Sequence, residues 1–114
     1  MIVRILALAA ATLCALPAAA LTVAASDCIE GSTFIGNAAR SRDNGMTSEA
    51  FIARFDGDLE LIKALPPAAR WFVQDEEDAA LLRSAVIEVF AERRAPDAHA
   101  RAFLSRCRAS IGMM

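Results

Sequence analysis

The chain has no tyrosine, one tryptophan, one histidine and three cysteines. These scarcities remove most site chemistry. A zinc site needs three or four ligands drawn from cysteine, histidine and carboxylate, and His99 with scattered acids does not supply them. Neither Ser105 nor Ser110 stands three or four residues from His99, and no nucleophile elbow surrounds a serine. His99 is therefore read as a solvated residue on an outer helix face. Glycine loops of the phosphate-binding kind are absent. Asp56-Gly57-Asp58-x-Glu60 lacks the ligand pattern of a calcium loop. Its acids suit a solvated turn, and those from Asp75 to Asp78 suit a helix start, so neither group reads as a catalytic pair. No catalytic residue, metal or cofactor is assigned, and no enzyme is expected.

Positive charge is not in excess either. The formal net charge is −2, and a nucleic-acid-binding domain would be clearly basic. No stretch alternates with period two over a useful length, so no sheet is expected. No internal repeat occurs.

What is present begins with a leader-like segment. One cation at Arg4, an apolar run from Ile5 to Leu16, a break at Pro17 and small residues after it match a secretory signal peptide. The run is shorter than the ~20 residues that span a bilayer. Extended to Ala25 it reaches 21 residues without a charge, so a retained anchor is the alternative. Cleavage after Ala20 or after Ala25 fits the small-residue requirement. Cys14 follows Leu13 and Cys28 follows Asp27, so neither suits a lipoprotein. The reading divides the chain into a signal peptide, 1–25, and a helical domain, 26–114, that is periplasmic or secreted and has no stable membrane span after cleavage.

Removing the leader leaves 11 basic and 14 acidic residues, a net of −3. It also leaves two cysteines, Cys28 and Cys107, near opposite ends of the mature chain. An even count in an exported domain predicts one disulfide. Of 26 alanines, ten precede Ser26. Alanine favours helix but buries little area, so a few large residues must form the core.

Gly45, Pro66-Pro67 and Ala95-Pro96 cut the mature chain into four stretches, each reading as helix. The first, from about Asp27 to Asn44, carries Ile35, Ala38, Ala39 and Arg42 at helical spacing. Gly31 weakens its start, and Gly45 supplies the left-handed residue that ends a helix. In the second, Thr47 is the N-cap and Glu49 lies in the first turn. Its stripe is Phe51, Ile52, Phe55, Leu59, Ile62 and Leu65, and the preserved phase across Gly57 predicts a continuous helix. The third starts near Asp75 after a short turn around residues 68–73. Ala79, Leu82, Val86, Val89 and Phe90 form its inner face, and Arg93 and Arg94 its last turn. The fourth follows Pro96, with Ala100, Phe103, Leu104, Cys107 and Ile111 inward. The predicted fold is all-α, a small antiparallel bundle of about four helices with one disulfide, tying the first helix to the last.

Arg70-Trp71-Phe72 is the candidate partner-binding segment, because tryptophan and arginine are enriched at interface hot spots. The competing reading folds Trp71 or Phe72 back into the core. Arg93, Arg94, Arg101, Arg106 and Arg108 make the C-terminal part basic, which suits either a solvated face or an acidic partner. The expected function is protein–protein binding in the cell envelope, with an unidentified protein partner. In broad plan the chain is similar to periplasmic immunity proteins of secreted bacterial toxins. It also resembles acid-stress chaperones in size, helicity and single disulfide, which gives the alternative function. No motif carries either likeness, so no residue is transferred.

Overall fold

A computed structural model describes residues 25–70 and 72–112. Residues 1–24, which hold nearly all of the predicted signal peptide, and Trp71 lie outside the described residues. Four helices occur among those described: α1 (Ala25–Asp43), α2 (Ser48–Lys63), α3 (Glu76–Ala91) and α4 (Pro96–Gly112), with a single 3₁₀ turn at Pro67–Ala69.

Local chemistry sets most boundaries. Gly45, at φ +101°, ends the first hairpin. The Thr47 hydroxyl accepts a hydrogen bond from the Ala50 amide and starts α2. At α3 the caps are reciprocal. Asp75 accepts from the Asp78 amide at 2.9 Å, and Asp78 accepts from the Gln74 amide at 3.0 Å. Burial, and the nearby Asp75 and Glu77, push the Asp78 carboxyl up. α2 runs unbroken through Gly57, so Asp56 and Asp58 stand on a helix rather than in a turn. α3 ends at Ala91, which leaves Arg93 and Arg94 in the following turn and not in its last turn.

The helices alternate in direction. Cys28 bonds Cys107, Gly31 abuts Phe103 and Gly36 faces Ala100, so α1 and α4 run antiparallel. Asp56 pairs with Arg83 and Lys63 with Glu76, so α2 and α3 do the same. α1 and α4 pack closest, because glycine and alanine line α1 where α4 crosses it. A Cβ on Gly31 would lie 2.6 Å from the Phe103 ring. Gly31 therefore does not weaken α1; it admits the largest core ring of α4.

The core is centred on Ile35, Leu82, Val86, Val89 and Phe103, all at most 1 % exposed. Each such side chain contributes about 1.5–3 kcal/mol by leaving water. Phe72 and Val73 leave the α2–α3 connection and plug the disulfide end, with the Phe72 ring edge-on to Phe103 at 5.4 Å.

The opposite end is held by polar groups. Arg42 is 8 % exposed. It donates to the carbonyls of Val89 at 2.8 Å, Arg94 at 2.7 Å and Glu92 at 3.3 Å, and pairs with Asp43. It thus satisfies carbonyls that the end of α3 leaves without partners. His99 is not on an outer face. It is 2 % exposed, and its Nε2–H donates to the Glu92 carbonyl at 2.8 Å. The fold is therefore clasped twice, by a disulfide at one end and by Arg42 and His99 at the other.

Candidate interaction surface

Of the predicted binding segment, Phe72 turns inward and Arg70 is half-buried. Phe72 is 1 % exposed and belongs to the core. The Arg70 guanidinium donates to the carbonyls of Lys63, Leu65 and Gln74 at 3.0–3.2 Å. The Gln74 side chain donates back to the Arg70 carbonyl at 3.0 Å. Arg70 thus fixes the α2–α3 connection rather than offering a free cation. Trp71 lies outside the described residues. The disulfide Cys28–Cys107 is present.

The outer faces of the bundle differ in character. On α1 the exposed face carries Glu30, Thr33, Asn37 and Arg40. On α4 it carries Asp97, Arg101, Ser105 and Arg108. Both are polar, as solvated helix faces are. On α2 the corresponding face is Ala50, Ala53, Gly57, Leu61 and Ala64, all exposed. On α3 it is Ala80, Ser84, Ile87 and Ala91. Leu61 is 70 % exposed, Ile87 43 % and Leu65 42 %. Just past α2, Pro66, Pro67, Ala68 and Ala69 are exposed as well. Ile29 on α1, at 50 %, stands apart from this surface among polar neighbours.

α2 is therefore apolar on two sides. Its inner stripe, Phe51, Phe55 and Leu59 among others, meets the core. Its outer stripe meets water. Leu65, placed on the inner stripe by its spacing, instead follows the helix end and joins the exposed tip.

Charge is arranged around these stripes. In the seam between α2 and α3, Arg83 makes a two-point pair with Asp56 at 2.9 and 3.0 Å. Hydrogen bonds from Arg83 hold the Asp56 carboxyl below the usual carboxylate range. Lys63 reaches Glu60 at 3.1 Å and Glu76 at 3.5 Å, and the bond to Glu60 leads in raising its ammonium value. These pairs cross a groove of about 360 Å³ floored by Leu59 and Ala79. On the other flank of α2, Arg54 and Asp58 line the mouth of a cleft of about 270 Å³ whose walls include Phe34, Phe51 and Phe55.

Chemically, the surface can cover apolar area and exchange ions at its edges. No group of three metal-ligating side chains occurs among the described residues. No helix among them is long and apolar enough to cross a membrane. The chain matches no protein-family model, and no curated protein or solved structure is significantly similar to it.

The α2 face escaped the sequence reading, although its signal was there. Leu61 lies off the inner stripe, and of the positions one turn to either side of it Gly57, Ala64 and Leu65 are uncharged, Asp58 alone carrying a charge.

Proposed function

We propose that this chain is an exported, non-enzymatic binding domain whose α2 outer face docks against a protein in the cell envelope. The observation that carries the reading is the exposed apolar stripe Ala50–Ala53–Gly57–Leu61–Ala64, set against the polar outer faces of α1 and α4. Exposed contiguous apolar surface on a small domain marks an interaction site. The rest of the fold supports this role as a rigid mount. The disulfide and the Arg42–His99 clasp hold both ends, and Arg70 orders the tip beside Leu65. The leader-like N-terminal segment and the disulfide support export to an oxidising compartment.

The test is photo-cross-linking in the intact envelope. A photoreactive residue replaces Leu61 on α2 or Ser105 on α4. Position 61 should give a discrete protein adduct and position 105 none. Equal yields from both, or none from 61, would remove the reading.

The acid-stress alternative also has a specific support. Among the described residues the ion pairs joining α2 to α3 rest on two carboxylates, Asp56 paired with Arg83 and Glu76 paired with Lys63. Protonating them would free α2 and bare Phe51, Phe55 and Leu59. Suppression of client aggregation at pH 2–3 by the oxidised protein tests it; its absence there excludes the alternative.

A further inference from the structure

We infer that the occupant of the α2 face is a second copy of this chain, with two α2 helices crossing antiparallel about a twofold axis near residues 55–56. This rests on the reading of α2 as the docking face and names the partner.

Three observations converge on that axis. The first is charge. Asp56, Glu60 and Lys63 are engaged in ion pairs within the chain, whereas Arg54 and Asp58 make none among the described residues. They stand four residues apart on one flank, at the spacing where a helix places neighbours, and yet do not pair with each other. A twofold axis between them sets Arg54 of one copy beside Asp58 of the other, and the reverse. Such an isologous contact is self-complementary by construction.

The second is size. Leu61 is the one large side chain of the stripe between Ala50 and Ala64, and Ala50 lies three turns before it. The midpoint of Ala50 and Leu61 nearly coincides with that of Arg54 and Asp58. The same axis therefore lays each Leu61 over the Ala50 of the other copy, large against small. The third is Gly57. It sits mid-helix and exposed, with nothing within 4 Å of the Cβ it lacks. Nothing inside the chain requires a glycine there. Beside the axis, a residue without a side chain lets two helix backbones approach closely.

The pair is weak by area. A 16-residue helix is about 24 Å long and 10 Å wide, so two such faces cover well under the ~1,000 Å² of a stable interface. Reversible association at high concentration is the expected behaviour.

Sedimentation equilibrium of the purified oxidised protein, from 10 µM to 1 mM, tests this together with a charge-swap cycle. Arg54→Asp and Asp58→Arg each place like charges at both symmetry-related contacts and should weaken association at least about tenfold. The double swap should restore it to within about threefold. Gly57→Leu should abolish association while leaving the helical circular dichroism intact. A protein monomeric throughout, or a double swap no better than the singles, would overturn self-pairing. If the position-61 cross-link then still forms to another protein, the docking face stands and only this partner assignment falls. If that cross-link is also absent, both fall.

Discussion

Replacing Arg42 with methionine removes one side chain and leaves the Val89 and Arg94 carbonyls to find other donors, while that of Glu92 keeps His99 and the Arg94 amide. The guanidinium is 6 % exposed, and its bond to the Val89 carbonyl is wholly buried. Leaving a buried acceptor unsatisfied costs about 1–3 kcal/mol. The bonds to Glu92 and Arg94 are part-buried, so water replaces much of each, and together they add about 1 kcal/mol. The Asp43 contact faces solvent on its acidic side, at 44 % exposure, and is left out of the sum. Methionine keeps most of the apolar stem in place. The expected loss is about 3 kcal/mol, a third to a half of the stability of a domain this small. The assay is urea unfolding of the oxidised protein followed by circular dichroism. With a slope of about 1 kcal/mol/M, the midpoint should fall by ~3 M at unchanged slope. His99 shares the Glu92 carbonyl, so Arg42→Met and His99→Leu should be non-additive. A methionine variant within about 0.5 kcal/mol of the parent, the size of a surface substitution, would refute the clasp.

Three further outcomes follow from other parts of the fold. The Cys28–Cys107 bond closes a loop of 79 residues, and its reduction should lower stability by about 4.5 kcal/mol on the chain-entropy account, read by denaturation with and without reductant. Gly31→Ala forces a methyl group against the Phe103 ring, which Phe72 backs and which cannot retreat. It should destabilise by about 1–3 kcal/mol, and Phe103→Leu should recover part of that in the double variant. The Asp56 carboxyl sits below its ordinary value of 3.8, so its pair with Arg83 favours the fold above that value and is lost as pH falls through the lower native one. The stability advantage of the parent over Asp56→Asn should be constant near neutral pH and shrink as pH falls below about 4; an advantage that grows in acid would contradict the sign. Asp78, raised by burial, works oppositely, since taking up its proton favours the native state.

The helices were legible because their punctuation is local. Gly45, Thr47, Asp75 and the prolines each act on the backbone within a turn, and the structure places the breaks at or beside them. Pairing of Cys28 with Cys107 followed from arithmetic once Cys14 was assigned to the leader. What escaped depends on distant partners. Arg42 was seen on the inner stripe of α1, but the carbonyls it serves lie about fifty residues away, in the last turn of α3 and just past it. His99 is four residues before Phe103 and eight before Cys107, so its inward phase was visible. Its charge capacity argued for the surface, and its hydrogen bond to the Glu92 carbonyl, supplied from beyond α3, is what accommodates its burial. Phe72 resolves as core because the disulfide end needs a plug that alanine cannot supply. The outer stripe of α2 was missed because small residues register as helix formers before they register as surface.

The most direct measurement is hydroxyl-radical footprinting of the protein in its native envelope and again as a dilute purified monomer. Leu61 on α2, 70 % exposed, and Ile29 on α1, 50 % exposed, serve as probe and control. The account predicts that Leu61 oxidation falls several-fold in the envelope while Ile29 reacts equally in both samples. Equal reactivity of Leu61 in the two, or protection of Ile29 instead, would contradict it.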